Sequence, residues 1–189
     1  MSRVLFITHP EARADPTLPV EEWELTERGR ERMRGFARGP EVGGVRALWS
    51  SRERKAAQAA RILGDRLGLP AHELEQLAEH DRSSTGYLPP ELFEAAVETF
   101  FAEPLLSFRG WETAAAAQER IIDALETVLA RSPAGGDIAI VAHGGVGTLL
   151  LCHLKGTQTH RAEDQPEQGH YYAFDRDSRR VLHGWRPLG

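Results

Sequence analysis

The sequence predicts an α/β fold, a three-layer α/β/α sandwich with a mainly parallel sheet in the middle layer. Short apolar runs ("VLFIT", "VRALWS", "DIAIVA") alternate with amphipathic stretches of helical period, as in a sheet with helices on both faces. The runs are nearly continuous in apolar character, which fits strands buried on two sides. The chain of 189 residues supplies one well-buried core and is short for two domains, so residues 1–189 read as a single domain.

Val4 to Thr8 is the first strand. Residues 10 to 24 carry Pro10, Pro16 and Pro19 and read as a loop. "LTERGRERMRGFA" is a helix with Thr26 as its N-cap. A second strand, Val45 to Ser50, runs into the helix "SRERKAAQAARILGDRLGL", with Ser51 near its start and Gly68 near its end. A short strand at Ala71 to Leu74 is followed by the polar loop "AEHDRSSTGYLPP" and a helix from about Glu91 to Ala102. A long helix from about Trp111 to Ala130 carries the apolar stripe Ile121, Ile122, Leu125, Val128 and Leu129. "DIAIVA" is the clearest strand, and "HGG" opens a helix through "VGTLLLCHL". "HYYAFD" and "RRVLHGW" end the chain as two strands, a hairpin joined at Arg176 to Ser178. Residues 82–110 interrupt the alternation and are expected to form a helical insertion that caps one end of the sheet.

Composition excludes several classes of function. A net charge of −5 gives no global attraction to nucleic acid or to an anionic membrane. Arg30, Arg34 and Arg38 fall at helical spacing, but Glu27 and Glu31 interrupt them, so they read as a solvated helix face. No stretch reaches the length of a membrane span, and "MSRVLFIT" lacks the features of a signal peptide. The single cysteine, Cys152, sits in an apolar run and implies no disulfide framework; a cytoplasmic protein is expected. The eight histidines form no H-E-x-x-H pair, and one cysteine makes no zinc cluster, so neither a metal nor another cofactor is expected. His153 and His160 read as helix-end and loop residues. Neither Ser50 nor Ser51 lies in G-x-S-x-G.

Two histidines stand where strands stop, and in such sheets ligands bind beyond the strands' carboxyl ends. His143 follows "DIAIVA", and Gly144 and Gly145 then open a helix whose first N–H groups make an anion pocket. His9 follows "VLFIT", and Pro10 biases it to an extended backbone. Neutral imidazole there is a nucleophile suited to phosphorus. Phosphoryl transfer also needs cations around the equatorial oxygens and an acid for the leaving oxygen. After other strand ends, "SSRERKAAQAA" offers Arg52, Arg54 and Lys55, and "LAEHDR" offers Glu79, Asp81 and Arg82.

Taken together, these motifs resemble the histidine phosphatase superfamily, the phosphoglycerate mutase-like fold. Leu25-Thr26-Glu27-Arg28-Gly29, Ser50-Ser51 with Ala56, Gln58 and Ala60, Leu77-Ala78-Glu79 and "VAHGGV" match its markers in order over most of the chain. The resemblance implies His9 as the phosphorylated residue, His143 as the second histidine and Glu79 as proton donor, with Asp81 in reserve. The expected phosphate contacts are Lys55, Thr8 and Gly144, with Arg82 or Arg54 supplying charge from another direction. The expected partner is a small phosphorylated substrate or phosphate-bearing ligand, with neither nucleic acid nor membrane and with the oligomeric state open. The family's Arg-His-Gly is Thr8-His9-Pro10 here, and its second phosphate arginine aligns with Lys55, which keeps the charge and loses the bidentate fork. Pro10 has no N–H to offer phosphate. Two readings stay open: a metal-independent phosphatase, favoured over a mutase, that acts on a phosphate monoester through phosphohistidine, and a catalytically impaired phospho-ligand-binding or regulatory protein on the same fold. A nucleotide-binding oxidoreductase is weaker, because Gly145-Val146-Gly147 lacks a third glycine. Tyr87, Phe93, Phe100, Phe101, Phe108 and Trp111 read as insertion core or pocket wall, and Glu112 as a helix cap or a pocket residue.

Overall fold

A computed structural model describes residues 2–189. Six strands form one mixed sheet in the order β3-β2-β4-β1-β5-β6. They are β1 (Arg3–Thr8), β2 (Val45–Ser50), β3 (Ala71–Glu73), β4 (Asp137–Ala142), β5 (His170–Asp175) and β6 (Val181–Pro187). The pairs β3–β2, β2–β4 and β4–β1 are parallel, while β5 and β6 run antiparallel as the expected terminal pair. Five helices complete the fold: α1 (Glu27–Phe36), α2 (Arg54–Leu67), α3 (Pro90–Ala102), α4 (Ala114–Arg131) and α5 (Gly144–Lys155).

The strands feed two cores. Side chains alternate between faces along a strand, so β1 sends Val4 and Phe6 to one side and Leu5 and Ile7 to the other. On the first side they meet Ile121, Leu125 and Val128 of α4 and Val146 and Leu150 of α5. On the second they meet Met33 and Phe36 of α1 and Ala56, Ala59, Ala60 and Leu63 of α2. Thr26 caps α1, its hydroxyl accepting from the Gly29 N–H.

Two helix starts differ from expectation. Arg54, not Ser51, opens α2, because the Ser51 hydroxyl accepts the Glu53 N–H and holds those residues outside the helix. The long helix begins at Ala114 under a Thr113 cap. Glu112 therefore caps nothing; it accepts two N–H groups from Arg120 and one from Asp81, tying the segment to α4. Among residues 82–110, α3 packs its Phe100 and Phe101 with Trp111 against Leu149 of α5.

Parallel pairing aligns the carboxyl ends of β1, β4 and β2. Thr8 pairs with Ala142, and Ser50 with Val141. The ladder extends one step further on both sides: the His9 N–H donates to the Ala142 carbonyl and the Ser51 N–H to the Val141 carbonyl. That fixes His9, Ser51 and His143 side by side at one edge of the sheet.

Candidate active site

A cavity of about 540 Å³ opens over this edge. His9, Lys55, Glu79, Arg82, His143 and Gly144 all line it. The two imidazoles meet edge to face, with ring centroids 5.3 Å apart. His9 Nδ1 lies 2.8 Å from the Pro10 carbonyl. A carbonyl only accepts, so Nδ1 carries the proton and Nε2 keeps its lone pair. Burial, with the charges of His143 and Lys55, holds the His9 pKa down to about 3. His9 is therefore neutral at physiological pH. Pro10 has lost an N–H and instead supplies the carbonyl that fixes the His9 tautomer.

His143 Nε2 lies 2.8 Å from Ser51 Oγ and 3.4 Å from Glu53 Oε1, while its Nδ1 is buried without a partner. Burial lowers its pKa as well. The carboxylate beside Nε2 favours the tautomer protonated there, with that N–H directed at Ser51 and Glu53.

Glu79 sits on the N-terminus of α5. Its carboxylate accepts the N–H groups of Gly145 and Val146, each at 2.9 Å. A Cβ on Gly145 would stand 2.7 Å from Glu79 Oε1, so the glycine lets the carboxylate approach this closely. Burial pushes the Glu79 carboxyl up, but His80, His143 and the Gly145 N–H outweigh it and hold it well below the usual range. Glu79 is therefore an anion at neutral pH. Arg120 fixes the Glu79 segment from α4, donating to the carbonyls of Gln76, Ala78 and Glu79.

Lys55 is buried, and its Nζ donates to the Val20 carbonyl at 2.9 Å and to Glu53 Oε2 at 2.5 Å. Arg82 lies over the Phe93 ring, 4.6 Å from its centroid, and forms no ion pair among the described residues.

Three expected residues do not line the cavity. The Thr8 hydroxyl donates to Gln165 Oε1 at 2.6 Å and accepts the His170 N–H at 3.0 Å, joining β1 to β5. Arg54 turns outward and pairs with Glu24 at 2.5 Å and Glu22 at 3.7 Å. Asp81 faces away, capping its own turn by accepting the Ser83 N–H. Of the aromatic residues between Tyr87 and Trp111, Tyr87, Phe93 and Phe101 reach the cavity; Phe100 and Trp111 are core.

The motif reading missed two side chains. Glu53 stands between Lys55 and His143 and also accepts the Glu79 N–H at 2.8 Å. Its position in "SRERK", just before α2, was the available signal, but an acidic residue there looks like any helix-start charge. Gln165 lies on the loop after α5, so close to Gly144 that a Cβ there would stand 2.3 Å from its Nε2. That loop has no periodicity to flag it.

The chain belongs to the histidine phosphatase superfamily, branch 1, whose family model matches residues 9–181. No curated protein matches the chain in sequence. Among solved structures it resembles a mycobacterial glucosyl-3-phosphoglycerate phosphatase in complex with inorganic phosphate, at TM-score 0.82 and 18% identity over 100% of this chain and 99% of that one. It also resembles YhfR of Bacillus stearothermophilus, at TM-score 0.81 and 20% identity over 97% and 95% of the two chains. The alpha-ribazole phosphatase of Shigella flexneri aligns at TM-score 0.75 and 20% identity over 99% and 97%. At these identities the likeness is one of fold. Among the described residues no helix is long and apolar enough to cross a membrane, and no group of three or more His, Cys, Asp or Glu is disposed to hold a metal ion.

Proposed function

We propose that the protein is a cytoplasmic phosphohydrolase that acts on a small phosphate monoester through a phosphohistidine, without a metal. The observation that carries this reading is His9 at the cavity floor, its Nδ1 proton committed to Pro10 and its Nε2 lone pair free. Nε2 attacks phosphorus, an N–P bond forms, and the ester P–O bond breaks. Arg82 supplies charge to the equatorial oxygens, with Lys55, His143 and the Gly144 backbone around them. Glu79 passes a proton to the leaving oxygen. Because Glu79 rests as an anion, that proton enters with the substrate as the phosphate monoanion. In the second step Glu79 takes a proton from water, whose oxygen attacks phosphorus and releases His9 and inorganic phosphate. The lone buried Cys152 supports a reducing compartment.

The test is hydrolysis of p-nitrophenyl phosphate in EDTA by wild type and His9→Ala. We expect turnover in the wild type and loss of at least about a hundredfold in the variant. A second reading, phospho-ligand binding without turnover, is favoured by the two carboxylates that occupy donors a phosphoryl group needs. It predicts no turnover in either protein and weaker phosphate binding in His9→Ala.

A further inference from the structure

The sheet edge presents a short list of groups suited to hold a phosphoryl oxygen, and a carboxylate is already seated among them. Glu53 spans three of the site's elements. Oε2 accepts from Lys55 Nζ at 2.5 Å, and Oε1 accepts the Glu79 N–H at 2.8 Å and faces His143 Nε2 at 3.4 Å. It is poorly exposed, with 11% of its side-chain surface open, and Lys55 beneath it has 5%. No other ion pair of Lys55 exists among the described residues. An anion bound to Lys55 and His143 must share them with a carboxylate at contact distance, where like charges repel strongly in a poorly hydrated site.

We propose that Glu53 is an internal ligand of the phosphate subsite: its carboxylate holds Lys55 and His143 as a competing anion and so sets the affinity of the site for tetrahedral oxyanions. This rests on the reading of the cavity as a phosphate site. The geometry also shows how Glu53 yields. Lys55 keeps the Val20 carbonyl as a second acceptor, so Nζ stays in place when the carboxylate leaves it. Oε1 remains anchored on the Glu79 N–H, so the carboxylate need only rotate about that bond to free Lys55. Glu53 thus acts through Lys55 and His143 as a positioning residue that sets how tightly the site holds a phosphoryl group. It lowers affinity for free phosphate and for a phosphate ester alike, so retention of an ester depends on the contacts its organic part adds in the cavity.

Glu53→Gln tests this directly, because the amide oxygen still accepts the Glu79 N–H while the negative charge is gone. Inorganic phosphate binding is measured by calorimetry for wild type, Glu53→Gln, Lys55→Met and the double variant. We expect Glu53→Gln to bind phosphate at least about tenfold more tightly than wild type, as for removal of one close like charge. The gain should be smaller when Lys55 is also replaced, because only the direct repulsion and the His143 contact then remain, a coupling that a merely structural role of Glu53 does not produce. Thermal shift covers loss of fold: if Glu53→Gln melts early, added phosphate must raise its Tm more than it raises that of wild type. Equal or weaker phosphate binding in Glu53→Gln, with wild type binding phosphate, overturns the inference and leaves the phosphatase reading standing. Phosphate binding in none of the four proteins overturns both.

Discussion

At the scale of single residues, the Pro10 carbonyl decides what His9 can do. An imidazole whose Nδ1 proton is taken presents one basic nitrogen, and burial keeps that nitrogen unprotonated far below neutrality. The pH dependence of turnover follows. His9 has a depressed pKa, so its competent neutral form is complete above it and is lost as pH falls through about 3. On the other side, Glu79 is already ionised, so under the proposed mechanism the proton for the leaving oxygen comes with the ester, whose second ionisation lies at pH ~6. We expect kcat/KM to fall as pH rises through ~6 and to fall again only near 3. A plateau that extends unchanged through pH 8 contradicts delivery of the proton by the monoanion. Lys55 and Arg54 show why the site was only partly legible at this scale. Neighbours on a helix point about 100° apart, so at the start of α2 one cation turns to the cavity and the next to Glu24. Charge and spacing name both, and only packing separates them.

At the scale of elements, the strand ends were legible and the loops were not. The interiors of β1, β2 and β4 are mostly apolar because helices cover both faces, so their carboxyl ends show as abrupt changes at His9, Ser51 and His143. The side chains of Glu53 and Gln165 follow no periodic pattern, and long-range contacts place them. The segment of residues 82–110 lies between these cases: its aromatic content was plain, but its division into core and wall is set by α3. One face of α3 buries Phe100 and Phe101 against Trp111, while Phe93 and the preceding Tyr87 and Leu88 line the cavity with Trp23 across from them. An apolar wall opposite the histidines suits an aryl leaving group. Tyr87→Ala should raise KM for naphthyl phosphate about three- to tenfold, with little change for glycerol phosphate. Equal changes for the two esters in steady-state assays speak against this wall as the leaving-group contact.

At the scale of the molecule, a parallel sheet separates chemistry from stability along its strands. Every proposed site residue on the strand ends lies at the carboxyl edge, while the amino edge of β1 and β4 is locked by a different set of charges. Asp137 accepts the Arg3 N–H at 2.8 Å and its guanidinium at 2.6 and 3.0 Å, so one carboxylate joins the two central strands where they begin. Arg3 is about one-third exposed, so water compensates part of the loss when the partner is removed. Asp137→Ala should therefore cost about 2 kcal/mol, or about 4–8 °C in Tm for a chain of this size. Five residue pairs from Val4↔Ile138 to Thr8↔Ala142 hold the two strands in register between Asp137 and the histidines. Fraying at one end leaves that register intact, so His9 and His143 keep their separation and KM and kcat at 25 °C should match wild type. Measured together, a lowered melting temperature with unchanged turnover shows that the two edges are independent. A matching loss of turnover shows instead that the spacing of the histidines depends on the whole length of the β1–β4 pair.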